Sequence, residues 1–370
     1  IHWGVNRGAQ LQKTEKLMPQ IKRIIIMAGG TGGHVFPGIA LAQAFAKHGI
    51  ETHWLGTEGG LEENWVKQAG LPFRAISIKG LRGNGLKGWM LAPFKVLKAF
   101  LQARRIIKSQ SPGLVIGMGG FVCGPGGLAA KSLGLPLYLH EQNAIVGLTN
   151  KLLAPIARKV FCGFEVEGWR ADYQVVGNPV RHKIEQVTIL DKQQPSHLLV
   201  IGGSRGAQAL NQTVPRALAK LPIDKRPKVT HQTGQASVEA TREIYRSFGV
   251  EADVRPFIDD MAQAYQQATL VVARAGALTV SELMCAGRPA ILIPFPFAVD
   301  DHQTANANQM VKLGGAKLIL QSELNDDILA DAILSGLDVD KAHQQSSDLK
   351  LHAHQGAAQK MVDEILNSLK

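Results

Sequence analysis

Three short stretches of the chain carry residue types that can do chemistry. The first is Ala28-Gly29-Gly30-Thr31-Gly32-Gly33-His34. A neutral imidazole at such a position can take a proton from an acceptor hydroxyl. A lone histidine is more often structural, and position alone leaves His34 open between the two. The second stretch is His140-Glu141-Gln142-Asn143. A carboxylate and two amides there can bind a sugar or orient a base; a polar loop capping the next helix uses the same residues. The third is Arg274-Ala275-Gly276-Ala277-Leu278-Thr279-Val280-Ser281-Glu282. Small residues opening a helix suit a diphosphate, because free N–H groups and the positive helix end meet the anion. Glu282, about a turn into that helix, can accept from both hydroxyls of a ribose; an acid favoured by the helix dipole is the plainer alternative. Asp300-Asp301-His302-Gln303 offers further groups for sugar hydroxyls. Asp338-Val339-Asp340 has the spacing some sugar-nucleotide enzymes use for a divalent ion, but no strong strand precedes it. It reads as a surface loop, and no metal site is assigned.

The elements that must position these groups repeat once. An apolar run, Ile24–Met27, enters Gly29-Gly30-Thr31-Gly32-Gly33 and then a helix over Pro37 to about His48. Leu198–Ile201 likewise enters Gly202-Gly203-Ser204-Arg205-Gly206 and a second helix. Neither turn matches a dinucleotide fingerprint: Val35 stands where the first needs Gly or Ala, and Ser204 breaks the second. Neither is a P-loop, since no Gly-Lys-[Ser/Thr] follows. A third glycine cluster, Gly117–Gly127, follows the strand Leu114–Ile116. Continuous apolar runs such as Leu135–Leu139, Leu270–Val272 and Ala290–Ile293 read as buried parallel strands alternating with helices. The fold class is therefore α/β: two Rossmann-like, doubly wound halves facing across a cleft, with ligands at the carboxyl ends of the strands. The breaker cluster Gly177-Asn178-Pro179 marks the boundary. The reading is an N-terminal domain over 18–180, a C-terminal domain over 181–350, and a last helix near Gln355–Leu369. Periodicity leaves open whether that helix returns to the first domain. Residues 1–17 show no clean period and no signal-peptide core, so Met18 reads as the natural start and 1–17 as an upstream or non-native extension.

Composition narrows the function. The 370 residues are 45% hydrophobic and 19% charged, enough to bury sizeable cores. No apolar run is long enough for an ordinary transmembrane helix. Cys123, Cys162 and Cys285 are an odd, scattered set, unlike a disulfide framework or thiolate zinc site. The net charge is +11, and the stretch Asn64–His140 holds eleven Lys or Arg with no acid. Such a block suits nucleic acid, an anionic membrane or an acidic substrate. Aromatic content of 6% and the lack of a recognised motif argue against nucleic acid. Within the block, Leu91–Lys108 reads as a helix with Lys95, Lys98, Gln102 and Arg105 on one stripe. Phe94, Leu97, Leu101 and Ile107 lie elsewhere on it, and Leu86, Lys87, Trp89 and Met90 lie upstream. Cations beside exposed apolar groups suit peripheral attachment to anionic lipid; a solvated helix face is the plainer reading.

Taken together the motifs resemble one family. MAGGTGGHVFPG (27–38), GLRGNG (80–85), GMGGFVCGPGGLAA (117–130), LHEQNAIVGLTNK (139–151), VVGNPVR (175–181), GGSRGAQALNQT (202–213), FIDDMAQAY (257–265) and RAGALTVSE (274–282) run in order. They are similar to the MurG family, the undecaprenyldiphospho-muramoylpentapeptide β-N-acetylglucosaminyltransferases. The resemblance implies a GT-B fold and an inverting transfer of GlcNAc from UDP-GlcNAc to the muramoyl 4-hydroxyl of lipid I, the undecaprenyl-linked muramoyl pentapeptide. It implies no essential cofactor, UDP-GlcNAc being a substrate. Carried over residue by residue, Thr31, Gly32 and Gly33 would lie near the transferred sugar, and Asn143, Arg181 and Ser204 would contact sugar and diphosphate. Ile258 would meet uracil through its backbone. Ala277, Leu278, Thr279, Val280 and Ser281 would line the donor site, Glu282 would hold the ribose, and Gln303 would contact GlcNAc hydroxyls. His34 would be the base, with Glu141 a second candidate. The surface around 80–105, including Lys87, Trp89, Met90, Phe94, Lys95, Lys98 and Arg105, would dock peripherally on the anionic cytoplasmic leaflet of the bacterial inner membrane. Other cell-wall or division proteins are compatible partners. Three positions depart from the family pattern: Arg205, Ala275 and Cys123.

Overall fold

The computed structural model describes residues 21–78, 85–203 and 207–369, with the backbone alone for 85–92. The first half runs β1 (Arg23–Met27), α1 (Gly32–Ala46), β2 (Glu51–Thr57), α2 (Glu62–Gln68), β3 (Phe73–Ile76), α3 (Gly85–Gln110), β4 (Leu114–Gly117), α4 (Cys123–Ser132), β5 (Leu137–Glu141), α5 (Leu148–Leu153), β6 (Lys159–Cys162) and β7 (Gln174–Val175). Among the described residues its sheet has seven parallel strands in the order β3-β2-β1-β4-β5-β6-β7. Successive side chains of a strand face opposite ways, and β1 uses both faces. Ile24 and Ile26 pack with Leu41 and Phe45 of α1, whereas Ile25 and Met27 pack with Ala103 and Ile107 of α3 and Ala129 of α4.

The second half opens on the short α6 (His182–Glu185). It continues β8 (His197–Ile201), α7 (Gln208–Ala219), β9 (Lys228–Gln232), α8 (Val238–Ser247), β10 (Asp253–Arg255), α9 (Met261–Gln267), β11 (Leu270–Ala273) and α10 (Ala277–Ala286). Then come β12 (Ala290–Leu292), α11 (His302–Val311), β13 (Ala316–Leu318), α12 (Asp326–Gly336), α13 (Val339–His352) and α14 (Ala357–Ser368). Its described strands, six and all parallel, are ordered β10-β9-β8-β11-β12-β13. Leu199 and Ile201 face α10, while Leu198 and Val200 face α7 and α12.

α14 packs on the first half. Met361, Val362 and Ile365 share a core with Ile24, Leu41 and Phe45. Tyr138 Oη lies 2.6 Å from Ser368 Oγ, and Lys159 pairs with Glu364 at 2.5 Å. The chain passes Gly177 on this return. That residue has φ +92°, and a Cβ there would fall 2.2 Å from His354 Cβ, so glycine is required twice over.

Two local readings change. α1 begins at Gly32 rather than near Pro37, because the glycine run itself forms the first helical turn and Pro37 is accommodated inside the helix. Asp338-Val339-Asp340 is a helix start, not a surface loop. Asp338 caps α13 by accepting from Lys341 N at 3.0 Å, and Asp340 pairs with Lys192 at 2.7 Å. Asp260 caps α9 by accepting from Gln263 N at 3.0 Å.

Candidate active site

In each sheet the strand order reverses beside the first strand of the half, and the loops after the two flanking strands meet there. In the first half, Met118 N donates to Met27 O at 2.8 Å, which places the Gly119-Gly120 turn against Gly29. In the second, Arg274 N lies 3.4 Å from Ile201 O. The two switch points face one cleft of about 940 Å³, a size suited to a nucleotide-sugar.

Three of the helices that begin at this cleft begin bare. α1 enters at Thr31-Gly32-Gly33, α7 at Ala207-Gln208, and α10 at Gly276-Ala277-Leu278. None has a side-chain cap or an acid in its first turn. Side-chain caps are present at α9, whose Met261 also lines the cleft, and at α12 and α13, supplied by Asp260, Asn325 and Asp338. α4, α5, α11 and α14 also start uncapped, so the distinctive feature is the convergence of bare starts on one cleft. Orphan N–H groups at a helix start need an acceptor. Three such starts around one cleft make a field suited to a diphosphate.

Glu282 faces the same cleft from α10 and is 5% exposed. Its Oε1 accepts from Arg181 Nη2 at 2.9 Å and its Oε2 from Tyr265 Oη at 3.2 Å. Burial works against the Arg181 charge, but the Glu282 carboxylate outweighs it and holds the guanidinium above its ordinary range. Burial, and then Glu282, push the Tyr265 phenol well above its usual value, so it stays a donor. Arg181 also lies 5.6 Å from the ring centroid of Phe36, which ties the interdomain segment to α1.

Of the residues expected at the donor site, Thr31, Gly32, Gly33, Arg181, Ile258, Ala277, Leu278, Thr279, Glu282 and Gln303 line the cleft. Gln303 Oε1 accepts from Phe295 N at 2.9 Å. The N–H of Ile258 is taken by Gln232 Oε1 at 3.1 Å, so a ligand reaching that N–H must displace Gln232. Val280 and Ser281 do not line the cleft. Successive helix positions point around the axis, so Val280 is buried in the core and Ser281 Oγ accepts from Asn178 at 2.8 Å. Asn143 does not line it either: its amide donates to Glu141 and accepts from Asn306. Asp300 and Asp301 are exposed, outside the cleft lining, and hold φ of 53° and 50°. Ser204 and Arg205 lie outside the described residues, as do residues 1–17 and most of 80–85, while Lys87, Trp89 and Met90 have only their backbone described.

Glu141 is not placed to be a base. It is 2% exposed, and its two oxygens accept from Asn143 N, Asn143 Nδ2, Gly147 N and Asn150 Nδ2 at 2.8–3.1 Å. A carboxylate with four donors is a loop organiser. His34 is half-buried at the start of α1, its Nδ1 2.9 Å from Gln142 Oε1. It does not itself line the cleft, although Gly33 before it does.

Sequence reasoning passed over several residues. The fully buried Glu62 accepts from Thr57 N at 2.8 Å and Gly30 N at 3.2 Å, cinching the first glycine turn. Cys123, read from the sequence only as a departure from the family pattern, accepts from Gly119 N at 3.2 Å and so holds the third glycine loop. Burial pushes its thiol up to about 12, so it remains protonated. Tyr265, Phe36 and Gln232 gave no signal, since their roles come from residues distant in the chain.

The glycosyltransferase family 28 N-terminal domain matches residues 24–162, and the family's C-terminal domain matches residues 197–361. The chain belongs to glycosyltransferase family 28. Within the family it is 55% identical, over 94% of its length and 98% of the relative's, to a protein of Hydrogenovibrio crunogenus named UDP-N-acetylglucosamine--N-acetylmuramyl-(pentapeptide) pyrophosphoryl-undecaprenol N-acetylglucosamine transferase. A Chromohalobacter salexigens protein of the same name is 46% identical over 93% of this chain and 96% of its own. Among solved structures, Acinetobacter baumannii MurG superposes with a TM-score of 0.80 at 39% identity, covering 94% of this chain and 99% of its own. The kitacinnamycin glycosyltransferase, at 17% identity and a TM-score of 0.72, shares the fold. This family 28 chain is therefore an N-acetylglucosaminyltransferase of GT-B fold, its cleft lying between the two matched domains.

Proposed function

We propose that this family 28 enzyme moves GlcNAc from UDP-GlcNAc to the muramoyl 4-hydroxyl of lipid I, inverting the anomeric carbon and making lipid II for peptidoglycan synthesis. The full-length likeness to the H. crunogenus transferase carries the reading, and the cleft supplies chemistry that fits it. Uridine sits against Ile258, with Glu282 on the ribose hydroxyls. The diphosphate meets the bare starts of α7 and α10 and the Arg181 guanidinium. In the displacement, the acceptor oxygen forms its bond to the anomeric carbon as the bond to the β-phosphate oxygen breaks. His34 takes the hydroxyl proton. Negative charge grows on the leaving UDP, where fixed N–H dipoles and Arg181 stabilise it without reorganising. The chain's own donors supply that stabilisation, and the reading needs no divalent ion.

The reading also places the enzyme peripherally on the anionic cytoplasmic leaflet. No helix among the described residues is long and apolar enough to cross a membrane. α3 buries small or inward residues, Ala99, Ala103 and Ile107, and exposes large apolar ones. Phe94 is 71% exposed, Leu97 54% and Leu101 55%, sharing a surface with Lys98, Gln102 and Arg105. Ile107 is therefore core, and the exposed apolar groups interleave with the cations rather than lying apart from them. The neighbouring α4 and α5 add exposed Leu128, Leu148 and Leu152, with Lys131 and Lys151. Exposed apolar groups among cations on three adjacent helices fit an anionic lipid surface.

The test is transfer of labelled GlcNAc from UDP-GlcNAc to a lipid I analogue with EDTA present. Transfer with UDP release is expected. Failure to transfer with the donor still bound removes the acceptor assignment, and transfer only after magnesium is restored removes the metal-free mechanism.

A further inference from the structure

We propose that Gln142 and His140 are positioning residues that hold His34 in the tautomer with its proton on Nδ1 and its lone pair on Nε2. The functional part of this inference rests on His34 being the base; the tautomer does not.

An imidazole's reactive nitrogen is set by the hydrogen bond its other nitrogen makes. For His34 that bond runs from Nδ1 to Gln142 Oε1 at 2.9 Å. The orientation of the Gln142 amide follows from its neighbours. Its nitrogen lies 2.7 Å from Met118 O, and a backbone carbonyl can only accept, so the NH₂ end must face it. The other amide proton meets His140 Nδ1 at 3.1 Å. His140 is pinned from its far side in the same way: Nε2 lies 3.0 Å from Gly177 O, a second carbonyl, so its proton sits on Nε2 and Nδ1 is the acceptor. The chain has one consistent direction. His140 donates to Gly177, Gln142 donates to His140 and Met118, and His34 donates to Gln142. Nothing is left for His34 Nε2 except the lone pair.

The surroundings keep this pattern in place. His140 is fully buried and Gln142 is 1% exposed, so water does not compete for these bonds. Burial pushes His140 down to about 4, keeping it neutral, whereas a charged ring would turn an N–H toward the Gln142 amide. Gly119 leaves room for the His34 ring; a Cβ there would fall 2.5 Å from Nδ1. Asn178 donates to Gln142 O at 3.0 Å and to Ser281 Oγ at 2.8 Å, so the interdomain segment and α10 brace the same residue. When Nε2 accepts the hydroxyl proton, Nδ1–H goes on donating to Gln142, and no group in the chain has to rotate.

The test reads the tautomer directly, by long-range proton–nitrogen NMR of ¹⁵N-histidine-labelled enzyme. His34 signals are assigned by their loss in His34→Asn. In the unsubstituted enzyme at neutral pH, His34 is expected to show a pyrrole-like Nδ1 and a pyridine-like Nε2; the reverse pattern overturns the proposal without any variant. Gln142→Leu is expected to lose that pattern and to lower kcat about tenfold or more, a part of what general-base catalysis supplies, with donor KM within about twofold. A Gln142→Leu enzyme that keeps the pattern and the full kcat also overturns it. The His34→Asn kcat judges the base role separately: a near-normal value removes that role, while the spectrum still decides the tautomer.

Discussion

Glu282 lines the cleft from α10, His34 sits behind Gly33 at the start of α1, and the two answer to different assays. Glu282 is a buried carboxylate lining the cleft, and in the proposed ribose role Glu282→Gln is expected to raise the KM for UDP-GlcNAc about ten- to a hundredfold, the worth of hydrogen bonds to a charged group, about 1.5–3 kcal/mol. An unchanged KM in steady-state assays would remove its ribose role. His34→Ala is expected to lower kcat by about 10²–10⁴, as loss of a general base does, with donor affinity kept; calorimetric titration with UDP-GlcNAc checks the second half. The position of both residues after glycine turns was readable in the chain. The partners that orient them were not, because Arg181, Tyr265 and Gln142 reach them across spans of sequence that only folding closes.

α3 is the element whose surface carries the most consequence. Its charge stripe was legible from spacing, but the side on which its apolar residues lie was not. The sheet takes the face with the small Ala99 and Ala103, because backbone can approach closely there, and this leaves Phe94, Leu97 and Leu101 outside. Replacing those three with serine is expected to lower binding to phosphatidylglycerol vesicles at least tenfold, since burying one such side chain contributes about 1.5–3 kcal/mol. Lys98→Glu with Arg105→Glu is expected to weaken it further and in a salt-dependent manner, at about 1 kcal/mol per cation. Vesicle sedimentation measures both. Unaltered binding in both variants would discard this face as the membrane contact.

At the scale of the whole molecule, two features bear on stability, and the first ties the end of the chain to the first half. α14 carries the end of the chain back onto the first sheet, and Ile365 is fully buried there. Ile365→Ala is expected to cost about 2–5 kcal/mol, as large-to-small core changes do, lowering the urea midpoint; an unshifted midpoint would show that α14 adds nothing to the first domain. The second feature is the pair of deeply buried histidines. Burial pushes His140 down to about 4 and His231 to about 3, from an ordinary 6.5. Both stay neutral when folded and charge freely when unfolded, so below pH 6.5 the unfolded chain binds more protons. Stability is then expected to be flat above about pH 7 and to fall by about 1.4 kcal/mol per pH unit per histidine between pH 6.5 and 4. Urea unfolding at pH 7.5 and pH 5.5 checks this, and equal stabilities would contradict it.

Local chemistry could be read along the chain. Apolar runs that enter glycine turns and then helices specify two parallel-sheet halves, because such strands are buried on both faces and such turns need glycine's freedom at Gly30 and Gly203, whose φ values are 97° and 82°. Glu282 could be read as well, from its place one turn into a helix that follows a strand. Whatever depends on which residues meet across the fold had to await the tertiary structure. Glu141 looks as available as His34 in the sequence, yet four donors from its own loop claim it. Asn143 and Ser281 sit inside functional motifs but turn to neighbours away from the cleft. The DVD triplet became a helix cap because Lys341 and Lys192 were there to take its oxygens. Hydrogen-bond saturation and burial are properties of assembled neighbours, and a residue's type and spacing do not contain them.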